Sequence, residues 1–302
     1  MQIHRSTVEI VVQTPAKLNL FFEVLARRDD GYHEIETLMC PIDRYDTLYF
    51  QEEPSGRLAL ECQWAAIGGG PDDAGFDSIP CGPDNLVSRA VELLRSRTGV
   101  ERGARVRLVK RIPAAAGLGG GSSDAAAALV AANEGWKLGL SLAELTRLAA
   151  QLGSDVPFFL RGGAAICRGR GERVEAAAGL GPLHFVVVRP PVGLTTAAVY
   201  GVCRPAAKPR CVTSLVEALY RGDARAAGRL LHNRLQAAAE SLSPWIAKLR
   251  ETFAGEDFLG HGMSGSGSSY FGLCRHARHA HRLAHRLRAR GLGNVFAVRS
   301  CR

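Results

Sequence analysis

Residues 113–129 have the sequence PAAAGLGGGSSDAAAAL, which places four glycines within five positions. Glycine loses more conformational freedom on folding than any other residue, so such a cluster needs a physical reason. Residues 104–111 before it alternate apolar and basic side chains, which predicts a half-buried strand. Residues 122–124 are types that cap helices, and residues 124–132 favour a helix. The pattern therefore predicts a glycine loop between a strand and a helix N-terminus.

Such a loop is suited to binding an anion, most often a phosphate group. The first turn of a helix has unpaired N–H groups and the positive end of the helix dipole. The loop has no lysine where a Walker A motif requires one, and Ser122 stands where the dinucleotide-binding fingerprint, counted from Gly117, requires glycine. The alternative is a tight turn without a ligand, but a turn needs only one or two glycines.

Composition excludes several classes of protein. The chain has 302 residues, is 46% hydrophobic and contains no apolar run of 18 residues, so no transmembrane helix is expected. The N-terminus lacks the pattern of a signal peptide, which predicts a cytoplasmic protein. Eight cysteines are present without a CxxC pair, so neither a zinc site nor a thioredoxin motif is indicated, and buried free thiols are expected.

The net charge of +9 is compatible with binding to nucleic acid, to an acidic surface or to a polyanionic small substrate, and also with no binding role. Much of the positive charge lies in residues 275–290, RHARHAHRLAHRLRAR, which predict a basic helix. Alanines and a leucine at helical spacing favour a surface helix that packs by one face. Metal binding by the histidines and nonspecific nucleic-acid binding are the alternatives.

The remaining chain mixes strands and helices without strict alternation, which predicts an α+β protein in two lobes with a boundary near residue 160. Residues 47–52 and 58–63 are predicted to form a strand pair joined through residues 54–56, and residues 65–83 a surface loop. The other predicted strands are residues 9–12, 18–25, 164–167, 185–188, 270–274 and 294–298. The other predicted helices are residues 85–97, 141–152 (capped by Ser141), 215–220, 224–235 and 242–253.

Three further segments gain meaning beside the glycine loop: PAKLNL at residues 15–20, GSDVPFF at 153–159 and GMSGSGS at 262–268. Each alone has an ordinary explanation, as a solvated lysine on a strand, a turn aspartate before a strand-like run, or a loop. In this order with the glycine loop, they resemble the GHMP family of small-molecule kinases. The resemblance implies an α+β, two-lobed GHMP-kinase fold with the active site in the cleft between the lobes. Residues 1–160 and 161–302 would be its N-terminal and C-terminal domains.

The family resemblance implies transfer of a phosphoryl group from ATP to an alcohol. The sequences DGYHEIETLM at residues 30–39 and GSDVPFFLRGG at 153–163 resemble members that phosphorylate the 2-hydroxyl of a CDP-linked methylerythritol for isoprenoid synthesis. The residues that face the acceptor hydroxyl in this family fall on Lys17 and Asp155. Asp155 would be the general base, and Lys17 would orient Asp155 and offset negative charge during transfer.

The resemblance also implies the substrate-binding residues. Asn19 would contact the erythritol part, and its spacing from Lys17 puts both side chains on one face of a strand. Tyr32 would stack on the cytosine ring and His33 would hydrogen-bond to its edge. Thr196 is a further candidate for the substrate pocket.

On the nucleotide side, Asn85 and Lys110 fall where the family lines its adenine pocket, and residues 265–268 would close over the other side of ATP. Magnesium is expected with ATP, and Ser123 is a candidate ligand. Residues 64–83 form a longer segment than the family usually has there, which puts the nucleotide affinity in question. The residues expected around the phosphates are Pro113, Gly117, Leu118, Gly119, Gly120, Gly121, Ser122 and Ser123.

Three alternatives stay open at this point. A GHMP kinase acting on homoserine or mevalonate would share the loops but would not need Tyr32 and His33 as cytosine contacts. A basic nucleic-acid-binding protein would leave Lys17 and Asp155 without a purpose. A catalytically inactive nucleotide sensor would bind ATP without turnover. We expect small-molecule substrates and neither a nucleic-acid nor a membrane partner, and the sequence allows a monomer or a homodimer.

Overall fold

The computed structural model describes residues 1–6, 8–65 and 79–301. Within these ranges helices and strands are mixed, so the predicted α+β class is confirmed. Most of the predicted loop at residues 65–83 lies outside the described residues. The strands are β1 Gln2–Arg5, β2 Ile10–Arg27, β3 His33–Glu53, β4 Leu58–Trp64, β5 Gly103–Lys110, β6 Ala165–Gly169, β7 Arg173–Ala176, β8 His184–Arg189, β9 His232–Asn233, β10 Gly260–Met263, β11 Tyr270–Cys274 and β12 Asn294–Arg299. The helices are α1 Leu86–Thr98, α2 Gly120–Gly135, α3 Leu142–Leu152, α4 Val156–Arg161, α5 Thr196–Val202, α6 Thr213–Tyr220, α7 Ala224–Leu230, α8 Gln236–Leu242, α9 Pro244–Ala254 and α10 Ala277–Arg288.

The chain folds into two compact units that are not single stretches of sequence. The first unit consists of residues 1–16, 44–114 and 119–162, and the second of residues 17–43, 115–118 and 163–302. The predicted domain division at residue 160 stays a prediction. Strand β2 supplies residues to both units, and so does β3.

In the first unit the strands lie in the order β1-β2-β3-β5-β4. Strand β4 runs parallel to β5, and β3 runs antiparallel to β5. The predicted pairing of residues 47–52 with 58–63 is therefore wrong, because β5 lies between these two strands. A parallel pair needs a crossover connection, and α1 lies in the chain between β4 and β5.

Strand β2 is continuous, whereas the sequence predicts a break at residues 14–16. Proline lacks an N–H for the ladder, so Pro15 is the reason for the prediction. Its carbonyl accepts a hydrogen bond from the Ser123 hydroxyl at 2.6 Å, and the flanking Thr14 and Ala16 are fully buried. The buried surroundings thus keep the strand extended through the proline.

Helix α2 begins earlier than the sequence predicts. Its N-cap is Gly119, so Ser122, Ser123 and Asp124 lie inside its first turns and do not cap it. The alanines of α2 are buried, since small side chains allow close packing of a helix on its neighbours. Trp136 ends the helix and packs edge-on against Phe50 at 5.5 Å between ring centroids. This packing fixes α2 within the core of the first unit.

The second unit contains an antiparallel sheet in the order β10-β11-β8-β12. Helices α8, α9 and α10 pack on it through an apolar cluster that includes Ile246, Phe253 and Leu283. Helix α10 buries Ala280, Leu283, Ala284 and Leu287 and exposes most of its arginines, as predicted for a helix that packs by one face. Ala277 of the predicted stripe is exposed. No helix of the described chain combines the length and the apolar character that spanning a membrane requires.

Candidate active site

The N-terminus of α2 is open to an anionic ligand. Gly119 has φ +72°, the left-handed conformation that favours glycine, and no side chain caps the helix. The first N–H groups of α2 and the positive end of its dipole therefore remain for another partner. This local geometry is suited to the phosphate groups that the sequence predicts here.

Gly120 and Gly121, at the start of α2, differ in why a glycine is needed. A Cβ on Gly120 would lie 3.0 Å from Ile112 Cγ2 and 3.2 Å from the ammonium of Lys110. A Cβ on Gly121 would meet only Leu86 Cδ1, at 3.7 Å, which is ordinary contact. Packing within the protein thus explains glycine at position 120. It does not explain glycine at position 121, which is exposed.

Ser123 does not fit the magnesium ligand that the sequence suggests. Its hydroxyl is fully buried, donates to the Pro15 carbonyl at 2.6 Å and lies 2.5 Å from the hydroxyl of Thr14. These bonds link α2 to β2 and leave the oxygen without access to a hydrated cation. Among the described residues, no group of three or more histidine, cysteine, aspartate or glutamate side chains could hold a metal.

Lys110, at the end of β5, lies buried between Asp46 and Asp124. Burial alone would lower the pKa of the lysine, but the two carboxylates raise it, so the ammonium stays charged. Burial, and further the charge of Asp46, raise the pKa of Asp124 above its ordinary value, against the opposing effect of Lys110. The place of Lys110 in an adenine pocket stays a prediction.

Asn85 is the N-cap of α1. Its Oδ1 accepts the N–H of Val87 at 2.8 Å, and its Nδ2 donates to the Pro80 carbonyl at 2.6 Å. The predicted helix at residues 85–97 is confirmed with this cap. The amide therefore holds the start of α1, and its contact with adenine stays a prediction.

Asp155 directly precedes α4 and is half-buried. The apolar run that follows it is a helix, so the strand-like interpretation of residues 156–160 is wrong. Pro157 lies in the first turn of this helix, where a proline N–H is not needed. Asp155 is therefore the N-cap residue of a short, mostly buried helix in the first unit.

In the second unit, Lys17 and Asn19 lie on one face of β2, as their spacing predicts. The ammonium of Lys17 donates to Asn19 Oδ1 at 2.5 Å, and Asn19 Nδ2 donates to Thr37 Oγ1 at 2.9 Å. Lys17 is 3% exposed and Asn19 fully buried. The threonine in turn donates to the Phe21 carbonyl at 2.6 Å, so the amide orientation of Asn19 is fixed.

The second glycine loop packs directly on this pair. Gly265 has φ +55°, and a Cβ on it would lie 3.1 Å from Asn19 Oδ1 and 3.2 Å from Lys17 Nζ. Asn233 Nδ2 donates to the carbonyls of Met263 and Gly265 at 2.7 and 2.8 Å. The sequence gives no signal for Asn233, because it predicts a helix over residues 224–235, whereas the helix ends at Leu230 and Asn233 lies in β9.

The middle of the first glycine loop also belongs to the second unit. The Ser264 hydroxyl donates to the Gly117 carbonyl at 2.9 Å, and the N–H of Lys17 donates to the Leu118 carbonyl at 2.9 Å. Gly117 has φ +71°, and a Cβ on it would lie 2.1 Å from the Ser264 carbonyl oxygen. Residues 115–118 are thus fixed against both β2 and the second glycine loop.

The predicted cytosine-binding residues lie in and just before β3. Tyr32 is 52% exposed, and the guanidinium of Arg170 lies 4.6 Å from its ring centroid. The rings of His33 and Tyr200 are 4.9 Å apart. Partial burial, and then the charge of Arg27, lower the pKa of His33, which keeps its imidazole neutral at pH 7.

Tyr200 and Thr196 come from α5. The Thr196 hydroxyl lies 3.0 Å from the hydroxyl of Ser266, so the helix start meets the second glycine loop. Tyr200 is not among the predicted site residues, although an aromatic residue four positions after Thr196 on a helix lies on a similar face, which is a usable signal. Thr196, Tyr200 and His33 are thus parts of the second unit.

Two family models match parts of this chain. The model of the GHMP kinases N terminal domain matches residues 85–163, and the model of the GHMP kinases C terminal matches residues 215–292. The first match contains the start of α2 and Asp155. Both halves of a GHMP kinase are therefore present in this chain.

A 4-diphosphocytidyl-2-C-methyl-D-erythritol kinase of Pelotomaculum thermopropionicum is 44% identical over 275 residues, which cover 90% of this chain and 92% of that protein. A solved structure of 4-(cytidine 5'-diphospho)-2C-methyl-D-erythritol kinase is 37% identical with a TM-score of 0.78 and covers 97% of this chain and all of its own. A homoserine kinase from Cytophaga hutchinsonii is 20% identical with a TM-score of 0.73, covers 100% of this chain and 97% of its own, and shares the fold alone. The chain belongs to the 4-diphosphocytidyl-2-C-methyl-D-erythritol kinase family of GHMP kinases.

Proposed function

We propose that this protein transfers the γ-phosphoryl group of ATP to the 2-hydroxyl of 4-diphosphocytidyl-2-C-methyl-D-erythritol. This step belongs to the methylerythritol phosphate pathway of isoprenoid precursor synthesis. The observation that carries the proposal is the 44% identity to a kinase of that name over 90% of the chain. The homoserine and mevalonate alternatives rest on weaker likeness, since structures of a homoserine kinase and a mevalonate kinase are 20% and 17% identical to this chain.

At the acceptor, Asp155 takes the proton of the 2-hydroxyl and Lys17 offsets the negative charge that moves with the phosphoryl group. Phosphoryl transfer depends on positioning and electrostatic stabilisation more than on covalent help from the protein. The buried ammonium of Lys17 suits this task, because an oriented charge in a dry site needs little reorganisation. Asn19, whose orientation Thr37 fixes, holds Lys17 in place and contacts the erythritol part.

At the donor, the N–H groups at the start of α2 bind the phosphates of ATP. The uncapped helix end and the space around Gly121 support this assignment. A divalent cation with ATP would neutralise phosphate charge. Since Ser123 does not fit as its ligand, we assign no protein ligand to magnesium and no step that depends on one.

At the cytidyl end, Tyr32 stacks on the cytosine ring and His33 hydrogen-bonds to the ring edge. Tyr32 is exposed, and the ring face opposite the Arg170 guanidinium would take the cytosine ring. A neutral imidazole can both donate and accept. The ring of Tyr200 holds the His33 ring in position at 4.9 Å between centroids. Thr196 is the weaker candidate for a contact in this pocket.

The variant Asp155→Asn tests the proposed chemistry. Loss of a general base should lower kcat by about 10²- to 10⁴-fold, while the Kd of ATP stays within about twofold. The matched control is Asp223→Asn, because Asp223 caps α7 and asparagine caps equally well, so its activity should be unchanged.

Two results would contradict the proposal in different ways. Equal kcat in Asp155→Asn and the unmodified protein would refute the role of general base. ATP binding without turnover of the cytidyl substrate by the unmodified protein would refute the kinase activity and favour a nucleotide sensor.

A further inference from the structure

We propose that Asp46, Lys110 and Asp124 form a buried ion cluster that positions the phosphate loop, by which we mean residues 111–119 between β5 and α2. Through this loop the cluster sets the affinity for ATP. The inference rests on the proposed function, because it assumes that the loop binds the phosphates of ATP. The three side chains come from β3, β5 and α2 of the first unit. None of them is assigned a contact with the phosphates themselves.

The cluster joins the strand before the loop to the helix after it. Lys110 is the last residue of β5, and its ammonium donates to Asp124 at 2.6 Å and to Asp46. Asp124 is the fifth residue of α2, so its carboxylate ties the first turns of that helix to the end of β5. The side chains are at most 6% exposed.

Asp46 also holds the first residues of the loop itself. Its Oδ1 accepts the backbone N–H of Arg111 and that of Ile112, the latter at 2.9 Å. Its Oδ2 accepts the ammonium of Lys110. One carboxylate therefore fixes the direction in which the chain leaves β5 and enters the loop.

The ammonium of Lys110 lies directly beside the start of α2. A Cβ on Gly120 would come within 3.2 Å of Lys110 Nζ, so the helix backbone packs on the charged group. A cation near a helix N-terminus is unfavourable by itself, and a carboxylate there is favourable. Asp46 offsets the charge of the ammonium and Asp124 accepts one of its hydrogen bonds, so the cluster can hold the helix end without opposing its dipole.

The cluster also obeys the general rule for buried charges. In Asp124→Leu the Lys110 ammonium keeps the charge of Asp46 but loses one buried hydrogen-bond acceptor, and a buried donor without an acceptor is costly. Asparagine at position 124 would keep an oxygen that accepts a hydrogen bond from Lys110, whereas leucine would keep only a side chain of similar size. The pair of variants thus separates positioning from packing.

The experiment measures ATP binding to the full-length protein without acceptor, by fluorescence of a methylanthraniloyl-ATP analogue and its displacement by ATP. Asp124→Leu should raise the Kd of ATP at least about tenfold, and Asp124→Asn should stay within about threefold of the unmodified protein. In steady-state kinetics, the KM of ATP should rise in Asp124→Leu, while the KM of the cytidyl acceptor stays within about twofold.

Two further variants keep the test decisive. If Asp124→Leu does not fold, Asp46→Asn replaces it, because one amide oxygen cannot serve both Lys110 and the two loop N–H groups; its Kd of ATP should rise at least about fivefold. The control is Glu256→Gln, which removes a buried carboxylate that pairs with Arg286 and Arg290 in the second unit and should leave both KM values unchanged.

A folded Asp124→Leu or Asp46→Asn protein with unchanged ATP affinity would overturn the inference. An equal rise in the KM of ATP and of the acceptor would also overturn it, since that result indicates general loosening. The failure of the proposed function is recognised separately. In that case the unmodified protein does not turn over the cytidyl acceptor, although the variants still change the Kd of ATP.

Discussion

The substitution Gly121→Ala should make the protein more stable and at the same time weaken its affinity for ATP. Gly121 is the second residue of α2 and is exposed, and a Cβ there meets only Leu86 Cδ1 at 3.7 Å. The protein itself therefore has room for the methyl group. If the glycine is present because phosphate groups approach the backbone closely, only the ligand will be obstructed.

Both magnitudes follow from the local geometry. Replacing glycine by alanine within a helix stabilises by about 0.5–1 kcal/mol, and position 121 has helical backbone conformation without a contact that would offset this gain. A methyl group that forces the phosphates away from the first N–H groups should cost at least about 1.4 kcal/mol of binding, which is a tenfold rise in the Kd of ATP. The two effects have opposite signs, so a general loss of structure cannot imitate them.

The assay combines urea unfolding with ATP binding by displacement of the fluorescent analogue. Gly255→Ala is the matched control, because its Cβ would meet only ordinary contacts at 3.6 and 3.8 Å and its site lies after α9; ATP affinity should not change. Gly120→Ala should instead lose stability, since its Cβ would lie 3.0 Å from Ile112. Unchanged ATP affinity in a stabilised Gly121→Ala protein would refute the argument that this glycine admits the phosphates.

Three further predictions concern the second unit. Tyr32→Ala should raise the KM of the cytidyl substrate at least about tenfold through loss of stacking without changing that of ATP, measured by steady-state kinetics, and an unchanged value would reject the cytosine contact. Because the pKa of His33 lies below its ordinary 6.5, the KM of the cytidyl substrate should be constant at and above pH 7 and should rise as the pH falls below that lowered pKa. This rise should be absent in His33→Gln, and a rise that persists in the variant would assign the titration to another group. Burial alone would raise the pKa of Glu23, but hydrogen bonds from Arg234 and backbone N–H groups lower it to about 2, so Glu23→Gln should reduce the free energy of unfolding by about 3 kcal/mol at pH 7. A lowered carboxyl pKa stabilises above the unfolded value near 4.5, so the difference between the two proteins should shrink as the pH falls from 4.5 towards 2, and a constant difference would contradict the ionic origin.

Features that depend on neighbouring residues could be predicted from the sequence. The capping box of Ser141 and Glu144 at the start of α3 is confirmed, and so is strand β11 at residues 270–274. Both patterns are complete within a few residues, so local chemistry decides them. The shared face of Lys17 and Asn19 follows from the two-residue period of a strand in the same way.

Features that depend on distant partners could not be predicted. Residues 58–63 carry a strand pattern, but their parallel partner β5 begins some 40 residues later, and no local rule distinguishes it from the preceding strand. The persistence of β2 through Pro15 depends on the hydroxyl of Ser123, which is 108 positions away. Tertiary contacts therefore override the local signals at both places.

The candidate site shows the same division. The glycine loop, Lys17 and Asp155 stand out because four motifs occur in the order typical of one kinase family. Asp46 does not stand out, because an aspartate in a strand carries no motif, and its role comes from contacts with Lys110 and two loop N–H groups 64 to 66 positions away. Contacts between residues so far apart in the sequence can be identified only from the three-dimensional structure.

The most direct test of the central claim is coupled ADP release by the purified protein with ATP, magnesium and 4-diphosphocytidyl-2-C-methyl-D-erythritol. Parallel reactions contain homoserine or mevalonate, and ³¹P NMR of the product locates the new phosphate. We expect turnover with the cytidyl substrate alone and a phosphate on its 2-hydroxyl. Turnover of homoserine or mevalonate in its place would contradict the cytidyl assignment, and ATP binding without turnover of any acceptor would contradict the kinase activity itself.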